Sequence, residues 1–343
     1  MAYRLNLADG VADSVRACAR EQLEDAVGQL TGTAKDPASG VHEARKSLKK
    51  TRALLRIARP ALGKSAYRRE NEALRDAAAE LSATRDADVL VATLEALERR
   101  AVGRLPAAGL ASLRAALVAE AEAEHKGGGD RTSPAASDGA SATSQAASAD
   151  PAASTEAETT SVAVAGRLRE ALDRIAAWPL DHADWDVVLE GTLRAYTRGS
   201  GARELAEADP TVEHLHAWRK RVKDLWYHHR LLKPVWPRIV SAYADEAHEL
   251  SELLGDDHDL AVLRDRLTAG VTLPPGTALD VDALLEILDE RRAELQEGSR
   301  RLGARLYAES PKAFSRRLRR WVEAAVAEEQ ATPGTVGSAI ADV

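Results

Sequence analysis

Apolar residues recur along this chain at spacings of three and four, stretch after stretch, as expected of helices that bury one face. Alternating runs of β-branched residues, the mark of strands, are nearly absent. The pattern predicts helices over 8–30, 39–59, 65–101 (with a break near Ser82), 107–125, 162–177, 184–207, 211–233, 236–268, 279–306 and 311–328. Punctuation agrees with the periodicity. Pro60 and Gly63 close the second helix, Pro106 opens the fourth, Asp209-Pro210 precedes the helix carrying His216, and Pro234 and Pro237 close it. The expected fold class is therefore all-α.

One stretch breaks the pattern. From Lys126 to about Ser161 the residues are mostly Gly, Ser, Thr, Ala, Asp and Pro, without large apolar side chains. Such a segment cannot offset the entropy lost on ordering. It is expected to be a disordered insert, over about 126–161, on a helical hairpin whose return helix lies near 162–177. This gives a first helical repeat over 1–178, a second over 179–330, and a flexible tail over 331–343.

The two repeats are read from internal likeness. With His42 set on His216, an offset of 174, Arg45 meets Arg219, Lys46 meets Lys220, Lys49 meets Lys223 and Arg56 meets Arg230. Val41, Leu48 and Ile57 meet Leu215, Val222 and Leu231. Further on, at an offset of 173, Leu81, Asp86, Val89 and Leu90 meet Leu254, Asp259, Val262 and Leu263. Two segments matching in one order at nearly one offset point to duplication of a helical bundle.

At about 100° per residue, Arg45, Lys46, Lys49, Arg52 and Arg56 fall within about 80° of His42. The second helix repeats this with His216, Arg219, Lys220, Lys223 and Arg230, and Trp226 stands where Arg52 does. Lys50 falls off the line. Like charges at such spacings repel by a few tenths of a kcal/mol per pair. On the wheel Glu43 and Asp224 lie away from the cationic face, so the missing acids are expected from another helix or from a ligand. A polyanion fits: arginine offers a planar fork to phosphate, lysine a mobile point charge, and histidine a further donor.

Net charge constrains the partner. The chain carries −7 formally, with a pI near 5.8, whereas general nucleic-acid binders are basic. Base-stacking aromatics flank only one stripe, as Trp226 and Tyr227, so nucleic acid is not the expected partner. Cys18 is the only cysteine, which leaves no internal disulfide or multi-cysteine metal site. The start, MAYRLNLADG, lacks the apolar core of a secretion signal, and no apolar run reaches membrane-spanning length. A cytoplasmic setting without membrane contact is expected.

Asp86 and Asp259 follow their histidines on the next long helix, where a hairpin would bring them back beside the basic stripe. They are expected to support it through a salt bridge to one of its arginines. The cluster Asp256-Asp257-His258-Asp259, with His248, leaves open a metal-dependent phosphohydrolase. A scaffold docking RNA or an acidic protein is a further alternative. His228 and His229, which face Leu54 and Leu55 in the alignment, are expected to be ordinary surface or interface histidines.

The motifs VHEARKSLKKTRALLRI, TRDADVL, LHAWRKRVKDLWYHHRLL and LGDDHDLAVL resemble the CHAD family, named for conserved histidines in an α-helical domain. The closing LYAESPKAFSRRLRRW looks similar to the family's C-terminal stretch. The resemblance implies two pseudo-twofold-related four-helix bundles, with long antiparallel helices and a central basic groove or pore. It implies binding of inorganic polyphosphate there, and association with polyphosphate granules. The ligand set it implies is His42, Arg45, Lys46, Lys49, Arg52, Arg56, His216, Arg219, Lys220, Lys223, Arg230 and Tyr227. Family members are often joined to a triphosphatase domain, which this sequence lacks. The expectation is a binding module with no catalytic residue, metal or cofactor.

Overall fold

A computed structural model describes residues 3–32, 37–81, 86–126 and 151–331. Ten α-helices are seen among the described residues: α1 Val11–Leu30, α2 Pro37–Glu80, α3 Asp86–Ala101, α4 Ala107–Lys126, α5 Pro151–Arg174, α6 Trp185–Ala208, α7 Val212–Leu231, α8 Pro237–Ala269, α9 Val281–Leu306 and α10 Pro311–Ala331. The protein is all-α, and no described helix is long and apolar enough to cross a membrane.

Local chemistry sets the boundaries. Asp184 caps α6 by accepting from Asp186 and Val187, Thr211 caps α7 by accepting from His214, and Asp280 caps α9 by accepting from Ala283. The expected break at Pro60 and Gly63 appears as a kink, with Gly63 at φ 70° inside α2. The expected helix over 65–101 is divided between α2 and α3, and residues 82–85 between them lie outside the described residues. Helix α5 begins at Pro151, earlier than the expected 162, so the last part of the low-complexity stretch is helical. Proline at a first helical position followed by alanines favours helix without needing large apolar side chains. The rest of that stretch, 127–150, and the tail, 332–343, lie outside the described residues.

Two apolar clusters hold the helices together. The larger joins Leu23 of α1, Leu48 and Ile57 of α2, Leu168 of α5, Val188 of α6, Val222 and Leu225 of α7, Leu250 of α8 and Phe314 of α10. The smaller joins Leu94 of α3, Leu113 of α4, Leu263 of α8 and Leu284 of α9. Each fully buried leucine contributes about 2 kcal/mol. The clusters do not divide at residue 178, since each draws helices from both sequence halves. Packing partners nevertheless recur: α1 packs on α2 and α5 as α6 packs on α7 and α10. Helices that are counterparts also meet each other, α2 with α7 and α3 with α8.

The halves approach closely where α6 crosses α2. A Cβ on Gly191 would stand 2.1 Å from the Ile57 carbonyl oxygen. Gly191→Ala is expected to destabilise the fold by about 1–3 kcal/mol through overpacking. Gly201→Ala, where a Cβ meets nothing within 4 Å, is expected to be neutral or mildly stabilising. Denaturant unfolding midpoints of the two variants check this.

Candidate functional site

The two cationic rows lie on α2 and α7, and matched positions sit at matched depth. Arg45 and Arg219 are buried, at 7% and 1% exposure. His42 and His216 are half-buried, as are Lys49 with Lys223 and Arg56 with Arg230, while Lys46 and Lys220 are exposed. The likeness read from the sequence is therefore also a likeness of environment. Arg219 donates from Nε to the Ser251 carbonyl of α8 at 3.2 Å. Its guanidinium lies over Gly255, where a Cβ would come 3.0 Å from that nitrogen. Asp259, one turn further along α8, is buried at 5% exposure. Its counterpart Asp86 opens α3, and its side chain lies outside the described residues.

Acids enter the cationic face differently from the expectation that Glu43 and Asp224 lie apart from it. Glu43 holds Lys46 at 2.7 Å within α2. Asp224, buried on α7, reaches across to α2 and accepts from Arg56 Nε at 2.7 Å. It also pairs with Arg221 at 2.9 Å. A wheel drawn for one helix at a time cannot show a contact made between two. Burial disfavours the Arg56 charge, but Asp224, together with Tyr67 and Tyr3, outweighs it and the pKa is raised. Arg52 donates to Asn71 at 3.3 Å, and Arg56 donates to the Arg52 carbonyl at 3.1 Å.

The far end of α7 is aromatic. The Arg230 guanidinium lies 5.4 Å from the Tyr3 ring and 5.3 Å from the Trp226 ring. Tyr227, in the expected ligand set, is buried at 6% exposure and meets Tyr3 edge-on at 6.0 Å. Trp226 stacks on His248 of α8 at 4.3 Å and 8°. Tyr3 carried no sequence signal, because it stands outside the two segments that align between the repeats. Its hydroxyl donates to the Lys50 carbonyl at 2.9 Å, and the backbone N–H of Leu5 donates to the Leu231 carbonyl at 2.9 Å. The segment from Tyr3 to Leu5 thus joins α2 to α7.

The His-Asp cluster on α8 is dispersed by the helix. Asp257 turns to α9, where Arg292 and Gln296 donate to it at 3.1 and 2.9 Å. His258 turns to α7, its ring centroid 4.4 Å from that of His216. Burial and then Arg219 lower the His258 pKa. Among the described residues no three His, Cys, Asp or Glu side chains gather to hold a metal ion.

A family model described as CHAD domain matches residues 17–268. The chain belongs to the CHAD domain family. The match takes in α2, α7 and nearly all of α8, the helices that carry the candidate site. It stops before α9 and α10, so LYAESPKAFSRRLRRW lies beyond it. A comparison with curated proteins finds no match.

Two histidines of this CHAD domain are core residues, not surface ones. His228 and His229 are 1% and 3% exposed, in the places that Leu54 and Leu55 fill at 0% on α2. The alignment contained that signal. His228 donates from Nε2 to the Ala53 carbonyl of α2 at 3.2 Å, and His229 from Nδ1 to the Leu225 carbonyl at 2.9 Å. Burial lowers both pKa values to about 4. Between about pH 6.5 and 4 the unfolded chain therefore binds more protons than the folded one. Stability is full above pH 7 and falls on acidification, by about 2 kcal/mol per histidine at pH 5. The double variant His228→Leu, His229→Leu is expected to flatten this loss, as read from unfolding free energies at pH 7 and pH 5.

Proposed function

We propose that this CHAD-family protein binds inorganic polyphosphate along the adjoining faces of α2 and α7, as a binding module rather than an enzyme. Such binding would let it associate with polyphosphate granules in the cytoplasm. The observation that supports the reading most is the recurrence of the same cations at the same depth on two helices that pack together. A single basic face is ordinary solvated surface. Two counterpart faces brought side by side concentrate positive charge in a protein whose net charge is −7. A flexible chain of phosphates, with charge on every unit, matches such a field without base or sugar recognition. Family membership supports the same ligand class.

The lysines are the expected direct contacts, since Lys46, Lys49, Lys220 and Lys223 are exposed or half-buried. Hydrogen bonds to charged groups contribute about 1.5–3 kcal/mol each. Replacing all four with Gln is expected to weaken binding of long-chain polyphosphate about a hundredfold or more. The helical signal should persist, because none of the four is buried. Wild-type affinity should fall steeply with salt, and RNA at equal phosphate concentration should compete poorly. Calorimetric titration at two salt concentrations measures all of this. Unchanged binding in the four-site variant, or preference for RNA, contradicts the reading.

A further inference from the structure

The C-terminal end of α9 touches α6 and α7 through two aromatic rings, each lying against a glycine. A Cβ on Gly303 of α9 would stand 2.5 Å from Cζ2 and 2.8 Å from Cη2 of Trp218 on α7. A Cβ on Gly199 of α6 would stand 2.3 Å from the hydroxyl oxygen of Tyr307, the residue that follows α9. Cζ2 belongs to the side of the indole that carries its N–H. Arg203 of α6 reaches the same spot, its Cδ 3.3 Å from the Cβ position of Gly303. Polar atoms gather at this contact. Trp218 Nε1, Arg203 Nε and the hydroxyls of Ser299 and Tyr307 are all buried, and none has a hydrogen-bond partner among the described residues. Trp218, Ser299 and Tyr307 are 1%, 0% and 4% exposed. Ser299 lies one turn before Gly303 and Tyr307 one turn after it, on one face of α9. Arg203 lies one turn after Gly199 on α6. Burying a donor bare is costly, and four such groups at one helix junction are not ordinary packing.

Charges around the junction are already matched. Arg203 pairs with Glu207 at 3.4 Å, and Arg221 with Asp224 at 2.9 Å. Burial raises the Tyr307 pKa, Tyr196 and Asp224 add to the shift, and Arg203 and Arg221 oppose it. A neutral guest suits this setting better than an ion. It must accept from two N–H groups, which only donate, and meet two hydroxyls, which do either. Water meets both demands, and buried waters commonly make two to four such bonds. The arrangement belongs to the second half of the chain. At the offset of 174, Arg203 and Trp218 are matched by Gln29 and Ala44. Helix α9 lies beyond the region that the family model matches.

We propose that α6, α7 and the end of α9 enclose an internal water site, in which water accepts from Trp218 Nε1 and Arg203 Nε and bridges them to the hydroxyls of Ser299 and Tyr307. The site is independent of the polyphosphate reading, since none of its groups belongs to the cationic rows. It has a structural consequence for them all the same. Trp218 directly precedes Arg219, the buried cation of the second row. Water held at the indole N–H ties that part of α7 to two further helices through hydrogen bonds, where side chains alone leave donors bare. The glycines are part of the device. A side chain at 199 or 303 would enter the space of Tyr307 or Trp218.

The sign of a stability change tests this. Ser299→Ala and Tyr307→Phe each remove a hydroxyl and little volume. A hydroxyl buried bare is a burden, so its removal would raise the unfolding midpoint. A hydroxyl bonded to water is a gain, so each variant is expected to lower the midpoint, with the unfolding equilibrium constant rising about fivefold. The double variant should lose less than the two losses combined, because both hydroxyls serve one site. In protein labelled with nitrogen-15, the Trp218 indole N–H, assigned by its disappearance in Trp218→Phe, should show a cross-peak to long-lived water. Midpoints at or above the wild type in both single variants, or an indole N–H without that cross-peak, overturn the proposal. A midpoint that rises with chloride at constant ionic strength, and does so less in Ser299→Ala, assigns the site to an anion and overturns it too. If Tyr307→Phe does not fold, Ser299→Ala and the cross-peak decide.

Discussion

Two rows of cations can share one small protein only if the helices bearing them are fixed against their own repulsion, and the carboxylate of Asp224 is the interaction that does this across α2 and α7. It is buried, it accepts from Arg56 of the other helix and pairs with Arg221 of its own. Breaking such a buried pair by removing one partner commonly costs about 3–5 kcal/mol, because the remaining charge is stranded. Beside it, His228 donates to the Ala53 carbonyl, so the same crossing is fastened by a charged and a neutral contact. The neutral contact requires an uncharged, buried imidazole. The register of the two rows therefore depends on protonation states well away from the exposed lysines.

Much of this was legible in the order of residues. The helices followed from three-and-four periodicity because each buries one face, and caps and prolines placed most ends closely. The counterpart relation of α2 and α7 followed from alignment, and it extends to burial, as Arg45 with Arg219 and Lys46 with Lys220 show. What escaped were contacts between elements. Asp224 looks remote from the stripe because it is remote on its own helix, whereas it meets Arg56 of the other. Tyr3 has no counterpart to compare. Helix α5 began earlier than expected because composition reports the capacity to bury surface, whereas alanine and proline at a helix start require none. His228 and His229 are buried rather than on the surface, as the leucines Leu54 and Leu55 at the matched positions are, because burial follows position on the packed face more than residue type.

The two helices differ at several matched positions. Lys50 is matched by Asp224, Arg52 by Trp226, and Leu54 with Leu55 by His228 with His229. Lys46 and Lys220, both exposed, and Lys49 and Lys223, both half-buried, carry the same charge on both helices. Where α2 and α7 cross, an acid at position 224, matched to Lys50, gives Arg56 of the other helix a partner in place of a like charge.

Depth also sorts the cations by chemistry. On both helices the buried position of the row is arginine, and the neighbouring exposed one is lysine. Guanidinium is weakly hydrated and keeps its proton when buried, whereas an ammonium group gives up charge as it is withdrawn from water, as the lowered pKa of Lys50 illustrates. Arg219, donating to the Ser251 carbonyl and lying over Gly255, would act on a bound anion mainly through its field. Lys220 and Lys223, nearer to solvent, would act by contact. Field from below and contact from above respond differently to salt, because mobile ions screen exposed charges far more than buried ones. A steep salt dependence would thus report the lysine layer, and the affinity remaining at high salt would report the arginines beneath it.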